Sequence, residues 1–242
     1  MNQPNQRDVN ITFRSTLRDI AKDVSRYRVT EERPLIALLV MCPALIAGVY
    51  YRFGAWIWHY KGPLAPLLYC VRPFYIVFKR LIEIYSGISM SQRAIFGSGL
   101  YINHFGSIFI GAVSVGENCN LAHEVTLGVG GRGDKKGLPT LGNRVYVAPG
   151  AKIIGKITIG DDVAIGANAV VTKSIPDCAV VIGAPARIVS YRGSFDFVLY
   201  EGMDTDPARL ANLERSKQMS APPAPAQADT DFELVEPVLM PY

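Results

Sequence analysis

The sequence predicts a mainly β protein with an α-helical N-terminal region, in which residues 87–190 form a parallel β-helix. Three observations lead to this fold class. An aliphatic residue recurs every six residues, a small residue often follows it, and apolar runs at helical spacing precede the repeats. The recurring aliphatic residues are Val115, Leu121, Leu127, Leu141, Val147, Ile153, Ile159, Ile165 and Val171.

A six-residue period fits neither a helix nor simple strand alternation. It is typical of short strands that wind into a triangular prism, with three repeats in each coil of 18 residues. On that count Val147 stacks on Ile165, and the aliphatic side chains fill the prism. Small residues after them let the backbone turn at the corners.

Composition limits the function classes. The chain has 242 residues, 49% of them hydrophobic, and a net charge of +4. One or two domains are expected, and no Lys/Arg run interleaved with aromatic residues indicates nucleic-acid binding. The polar start lacks the apolar segment of a signal peptide. The cysteines are far apart and predict reduced thiols in a cytoplasmic protein; they are Cys42, Cys70, Cys119 and Cys178.

Residues 1–34 predict a polar tail followed by an amphipathic helix, with residues 1–10 disordered. The helix has one apolar face, formed by Phe13, Leu17, Ile20, Ala21, Val24 and Tyr27. Charged residues cover the other face: Arg14, Arg18, Asp19, Lys22, Asp23 and Arg26. We expect the apolar face to dock on the rest of the protomer, with a membrane surface or a partner as the alternative.

Residues 35–86 predict an apolar helical region. The stretch 35–51 carries no charge and is at the lower limit for crossing a bilayer, but Pro43 and Gly48 interrupt it. We therefore expect buried or interface helices rather than transmembrane ones. Flanking bases leave peripheral contact with an anionic membrane surface open; they are Arg52, Lys61, Arg72, Lys79 and Arg80.

Residues 129–139 interrupt the six-residue period. The segment is Gly-rich and charged, and regular repeats flank it on both sides. It is therefore predicted to leave the prism as an extruded loop, a common place for binding groups. Residues 191–242 form a C-terminal extension with short helices and an Ala/Pro-rich, disordered linker at 220–231.

Several motifs now identify a family. They are Pro43-Ala44-Leu45, the aromatic run 51–58, Gly99-Leu100-Tyr101-Ile102-Asn103-His104, Val125-Thr126-Leu127-Gly128, the run 165–173, and Gly183-Ala184-Pro185-Ala186-Arg187. With these motifs the chain resembles the serine acetyltransferase branch of the left-handed hexapeptide-repeat acyltransferases. The resemblance covers roughly residues 43–189.

The resemblance implies a left-handed β-helix, a homotrimer with sites in the clefts between prisms, and acetyl-CoA as the acetyl donor. It implies that Ala148 and Ala167 offer backbone groups to the pantetheine arm. Thr172, Lys173 and Arg187 would face the phosphates and the adenine. Positive charge near phosphate is physically sensible, although solvated surface charge is the alternative for the two bases.

Acetyl transfer to a hydroxyl group needs a base, and histidine suits that role because its ordinary pKa is about 6.5. His104 is the candidate base, in a polar break of the repeat where the family has its own. His123 follows 19 residues later, close to one coil. It is either a partner of His104, or a residue that binds the acceptor, or an ordinary corner residue.

Two departures from the family bear on this site. Ser89 and Asn103 occupy positions where the family commonly has acidic residues near the base. Gly137 and Leu138 replace the Arg-His pair that holds the serine carboxylate. Substitutes for that pair are Arg132, Lys135 or Lys136. The predicted acceptor is therefore a small hydroxyl compound, either L-serine or a sugar such as a polysaccharide precursor.

Two other function classes stay open. A non-catalytic trimeric scaffold would explain the missing acidic partners. A metal-dependent hydratase on the same fold would need three histidine ligands. Only His104 and His123 lie in the predicted prism, so no metal is expected.

Overall fold

A computed structural model describes residues 10–31, 33–133 and 136–219. The predicted disordered segments, 1–10 apart from Asn10 and 220–231, lie outside these residues. Within them the chain forms an N-terminal helical layer, a β-solenoid, and a C-terminal helix that packs back on the solenoid. The predicted fold class, a parallel β-helix preceded by helices, is confirmed.

The helical layer contains four helices, with α3 between α1 and α4. Pro43 begins α3 at a position where its missing N–H costs nothing, and Gly87 ends α4 with φ 65°. The C-terminal helix α5 begins at Pro207, capped by Asp206. The bounds are α1 Phe13–Glu31, α2 Leu35–Met41, α3 Pro43–His59, α4 Ala65–Ser86 and α5 Pro207–Gln218.

The described residues contain fifteen short strands in three sheets, one sheet for each side of a triangular prism. They are β1 Ile88–Met90, β2 Ile95–Phe96, β3 Tyr101–Asn103, β4 Ile108–Ile110, β5 Ser114–Val115, β6 Asn120–Ala122, β7 Thr126–Gly128, β8 Thr140–Leu141, β9 Tyr146–Val147, β10 Lys152–Ile154, β11 Thr158–Ile159, β12 Ala164–Ile165, β13 Val170–Val171, β14 Val180–Ile182 and β15 Arg187–Ser190. The sheet orders are β1-β4-β7-β10-β13, β2-β5-β8-β11 and β3-β6-β9-β12-β14-β15.

The register follows the predicted coil of 18 residues in the later part of the prism. Ile165 pairs with Val147, and Val171 pairs with Ile153. Every strand-to-strand pairing between successive coils is parallel, and the aliphatic residues of the period are almost fully buried. Burial of such a column supplies the main stabilising free energy of a repeat fold.

Close approach of the coils explains the small residues after the aliphatic ones. A Cβ placed on Gly142 would lie 2.8 Å from the carbonyl carbon of Gly160 on the next coil. At other corners the turn uses left-handed backbone in larger residues, including Arg144 and Asp162, with φ 55° and 56°. These two side chains form a buried bidentate ion pair at 2.7 and 2.8 Å, so they serve as a corner clamp as well as a turn.

The last strand closes the prism. β15 pairs with β14 in antiparallel orientation, and the register shifts between Val180 and Val181. The chain then returns along the corner, where Asn212 of α5 donates to Asp162 at 2.7 Å. The C-terminal helix is thereby fastened to the Arg144–Asp162 clamp.

Helix α1 packs differently from the prediction. Its apolar face was expected to dock, yet Phe13 and Leu17 are 47% and 46% exposed, whereas Asp23 and Arg26 are buried. The physical reason is that the buried polar side chains have specific hydrogen-bond partners on the prism. Arg26 donates to the carbonyl of Gly99 at 2.8 Å and also to Asn120, and these bonds satisfy charges that periodicity alone assigns to solvent.

The buried ion pair Asp23–Arg52 joins the helices to the first coil. Arg52 Nε and Nη2 donate to the Asp23 carboxylate at 2.8 and 3.0 Å. Asp23 also accepts from the backbone N–H groups of Gly99 and Leu100, at 2.9 and 2.8 Å. Arg52 in turn donates to the carbonyl of Phe96 at 2.8 Å.

No helix in residues 10–31, 33–133 and 136–219 is long and apolar enough to cross a bilayer. Arg52, which the sequence suggested as a flanking base for a membrane surface, is instead buried against Asp23. Helix α3 is mostly buried, as expected for this region, but the described residues do not cover the outer side of α4.

Replacing Asp23 with Asn is expected to lower the free energy of unfolding by about 3–5 kcal/mol, because Arg52 would stay buried without its counter-charge. Urea unfolding followed by circular dichroism measures the change. Glu214→Gln is the control, since that carboxylate is 65% exposed and should change stability by less than about 0.5 kcal/mol. A loss similar to that of the control would contradict the assigned role of the pair.

Candidate functional site

The turn after β3 is longer than its counterpart on the next coil. Asn103 pairs with Ala122 and Phe109 pairs with Thr126, so six residue steps in the first coil match four in the second. The extra length contains His104, which has φ 64°. The same left-handed conformation occurs at regular corners of the prism, including Glu124, Arg144 and Asp162, so the feature specific to His104 is the added length of its turn.

His104 and His123 lie on the same edge of the prism, on adjacent coils. Their ring centroids are 5.7 Å apart and the ring planes are inclined by 68°. His104 is exposed, whereas His123 is half-buried, and its Nδ1 is buried without a hydrogen-bond partner. The lengthened turn therefore presents one imidazole to solvent beside a second one.

Neither of the two residues predicted to lie near the base, Asn103 and Ser89, carries a carboxylate. Asn103 is the last residue of β3 and is half-buried. Ser89 lies in β1 on another side of the prism, and its hydroxyl donates to Glu83 of α4 at 2.8 Å. Although burial acts to raise the pKa of Glu83, hydrogen bonds from Ser89 and Lys79 outweigh it and hold that pKa below its ordinary value. In the described chain, no hydrogen bond links Ser89 to His104.

A cavity of about 170 Å³, here called the His104 cavity, adjoins the candidate base. It lies between the first coil and the segment that runs from the end of α1, through α2, to the start of α3. Its charged lining residues are Glu31 and Arg33, and Tyr101 donates to Glu31 at 2.7 Å. The remaining lining residues are Tyr27, Met41, Cys42, Pro43, Ala44, Ile102 and Phe105.

Sequence reasoning missed Glu31 and Arg33. They lie about 70 residues before His104, at the end of α1, and their proximity arises only when α1 docks on the first coil. Cys42, also in the lining, carries a neutral thiol, because burial and then the charge of Glu31 raise its pKa. The cavity thus combines one acid, one base and an imidazole.

The predicted donor residues divide between two places. Ala148 and Ala167 lie on the same edge as the histidines, on later coils. Backbone hydrogen bonds connect this edge from coil to coil, from Gly150 N–H to the carbonyl of His123 at 3.1 Å and from Asn168 N–H to that of Pro149 at 2.9 Å. Ala148 is buried and Ala167 is exposed.

Thr172, Lys173 and Arg187 line one cavity of about 190 Å³, here called the cationic cavity. All three are exposed, and the two basic side chains come from different parts of the chain. The rest of its lining is Val171, Ile175, Pro185 and Ala186. Two cations beside an open apolar floor suit a ligand that carries phosphate and a ring.

The extruded loop is closed at its base by two backbone hydrogen bonds between Gly130 and Gly137, at 3.1 and 3.0 Å. Arg132 is exposed on it and is absent from the lining of the His104 cavity. Lys135 lies outside the described residues. Arg132 is therefore not brought to His104, and Arg33 supplies the positive charge there instead.

No group of three or more His, Cys, Asp or Glu side chains among the described residues is arranged to hold a metal ion.

Comparison with known proteins gives consistent matches. A family model described as bacterial transferase hexapeptide (six repeats) matches residues 139–173. The serine acetyltransferase of Mycobacterium tuberculosis is 33% identical over 192 residues, which cover 75% of this chain and 80% of the relative. That of Helicobacter pylori strain J99 is 41% identical over 123 residues, 49% of this chain and 72% of the relative.

Comparison with solved structures gives matches to the same family. The crystal structure of serine acetyltransferase from Vibrio cholerae has a TM-score of 0.61 at 25% identity and covers 72% of this chain and 66% of that one. The soybean serine acetyltransferase apoenzyme has a TM-score of 0.63 at 25% identity, with 73% and 69% covered.

Proposed function

The chain belongs to the serine acetyltransferase family, and on that premise we propose that it transfers the acetyl group of acetyl-CoA to the hydroxyl group of L-serine, with His104 as general base. The single observation that carries the proposal is the position of His104. It is exposed in a lengthened turn, beside a cavity lined by both charges of an amino-acid site and on the prism edge that also carries Ala148 and Ala167.

In the proposed reaction His104 accepts the hydroxyl proton as the serine oxygen attacks the thioester carbonyl carbon. The tetrahedral intermediate then expels the CoA thiolate, which takes the proton from the imidazolium and leaves as the free thiol. Such a base is worth roughly 10²–10⁴-fold in rate. His123 lies close enough to help orient the ring.

The acceptor is proposed to occupy the His104 cavity. A free amino acid carries a carboxylate and an ammonium group, and Arg33 and Glu31 offer the opposite charges. This arrangement compensates for Gly137 and Leu138, which cannot hold a carboxylate through their side chains. A neutral sugar could form hydrogen bonds with these side chains but no ion pair, so the lining favours L-serine over the sugar acceptor.

The donor is proposed to run along the edge of Ala148 and Ala167, with its phosphates in the cationic cavity. Successive coils are about 4.8 Å apart, so an extended pantetheine arm is needed to connect the two sites. We also propose a homotrimer with sites in the clefts between prisms, supported by the family membership and by exposed apolar side chains on the prism, such as Phe109.

His104→Ala is expected to reduce kcat by about 10²–10⁴-fold, because the attacking hydroxyl loses its proton acceptor. Release of CoA thiol from acetyl-CoA and L-serine measures the rate. Ser107→Asn, an exposed change in the same turn, is the control and should leave the rate within about twofold. Full turnover by His104→Ala would refute the assignment of the base.

Arg33→Ala is expected to raise the KM for L-serine about tenfold or more, because a charge-assisted hydrogen bond to the carboxylate is lost. With L-serinamide, which lacks that carboxylate, the same substitution should have little effect. Arg28→Ala, an exposed change on α1, is the control.

Two results with the wild-type protein would contradict the proposed function. If it acetylated a sugar and not L-serine, the proposed acceptor would be wrong. If it failed to bind CoA, the protein would be a non-catalytic scaffold instead of an enzyme.

Replacing both Lys173 and Arg187 with Ala is expected to raise the KM for acetyl-CoA about tenfold, with kcat nearly unchanged. Acetyl-pantetheine lacks the nucleotide phosphates, so its KM should not respond. Lys217→Ala, at an exposed base on α5, is the matched control. Equal effects on both donors would show that the two bases do not contact the phosphates.

A further inference from the structure

Helix α4 has its charges on the inside, apart from Arg80, and its apolar side chains on the outside. Lys79 and Glu83 are 18% and 11% exposed, and they pair with each other at 3.2 Å. Arg72 donates to the carbonyl groups of Ile57 and Trp58, at 3.2 and 3.4 Å. This is the reverse of the arrangement expected for a helix on the surface of a soluble protein.

Ten large apolar side chains of α4 are exposed within the chain. They include Leu67, Phe74, Val77, Phe78, Leu81 and Ile84, of which Ile84 is 81% exposed and Phe74 69%. A continuous apolar patch on this scale marks an interaction surface, because each such side chain gains about 1.5–3 kcal/mol on burial. The residues that pack inward are Leu68, Tyr75 and Ser86.

The width of this surface limits what can cover it. At 100° per residue, the exposed positions from Ile76 round to Val71 span roughly 220° of the helix circumference. A single partner helix covers a stripe of about 100°. A continuous apolar medium, in contrast, covers three sides of a helix at once.

The charges on and near the exposed face of α4 favour a negatively charged medium as the one that covers it. Within the exposed arc of α4 Arg80 is the one charged residue, and Glu83, the acidic residue of the helix, is bound by Lys79, Arg80 and Ser89. Lys61, which is exposed four residues before the start of α4, adds positive charge at that end of the helix.

We propose that the outer face of α4 docks on the surface of an anionic lipid bilayer, with its apolar side chains among the upper acyl chains and Arg80 at the headgroups. The helix lies in the plane of the membrane, in keeping with the absence of a spanning helix among the described residues. This inference does not depend on the proposed acetyl transfer.

Flotation of the full chain with vesicles tests the proposal. The wild-type protein is expected to float with vesicles of phosphatidylcholine and phosphatidylglycerol, and less with phosphatidylcholine alone. Binding should weaken when NaCl is raised from about 0.1 to 0.5 M, because salt screens the basic residues. Phe74→Gln combined with Ile84→Gln should reduce binding at least about tenfold.

Leu210→Gln, an exposed apolar position on α5, is the matched control and should float like the wild type. Circular dichroism and thermal unfolding establish that the double variant is folded. Flotation of the double variant at the wild-type level, or no flotation of the wild type with either vesicle, would overturn the proposal. If light scattering then showed that the double variant forms smaller particles than the wild type, a second copy of the chain covers α4 instead.

A gain-of-signal measurement avoids reliance on a loss of binding. Phe74→Trp is expected to show blue-shifted emission, quenched by brominated acyl chains, when anionic vesicles are added. Emission that stays unchanged with vesicles present would also overturn the proposal.

Discussion

The buried Asp23–Arg52 ion pair holds the architecture together at the point where helices meet prism. Asp23 belongs to α1. Its carboxylate accepts hydrogen bonds from Arg52 of α3 and from two backbone N–H groups just before β3. Because both charges are nearly inaccessible to water, each needs the other in place. The pair therefore fixes α1 and α3 against the coil that contains His104, and with them the walls of the His104 cavity.

The prism was predictable because its physics is local and repeated. Close coils favour a small residue after the aliphatic one, so the pattern recurs along the sequence of the prism. The six-residue period does not extend back through residues 95–110, for an identifiable reason. There the turn that carries His104 adds two residues relative to the next coil, so the aliphatic residues no longer share one period.

The helical layer was harder to predict. Periodicity assigns the apolar face of α1 to the interior, and Tyr27 of that face is buried. Asp23 and Arg26 are buried as well, because Asp23 accepts from the N–H of Gly99 and Arg26 donates to the carbonyl of Gly99. The same limit applies to the site. The pairing of His104 and His123 follows from a spacing close to one coil, whereas Glu31 and Arg33 come from a distant segment. Their presence in the cavity depends on how α1 docks, which no short-range pattern encodes.

The final strand has a consequence for the size of the molecule. A parallel solenoid ends in backbone groups that could template another coil, and stacked solenoids would then grow into filaments. Here β15 covers β14 in the opposite direction, with a register shift between Val180 and Val181. An incoming parallel strand finds the wrong polarity and an irregular edge. This reversal of one short strand blocks growth at the edge of one of the three sheets.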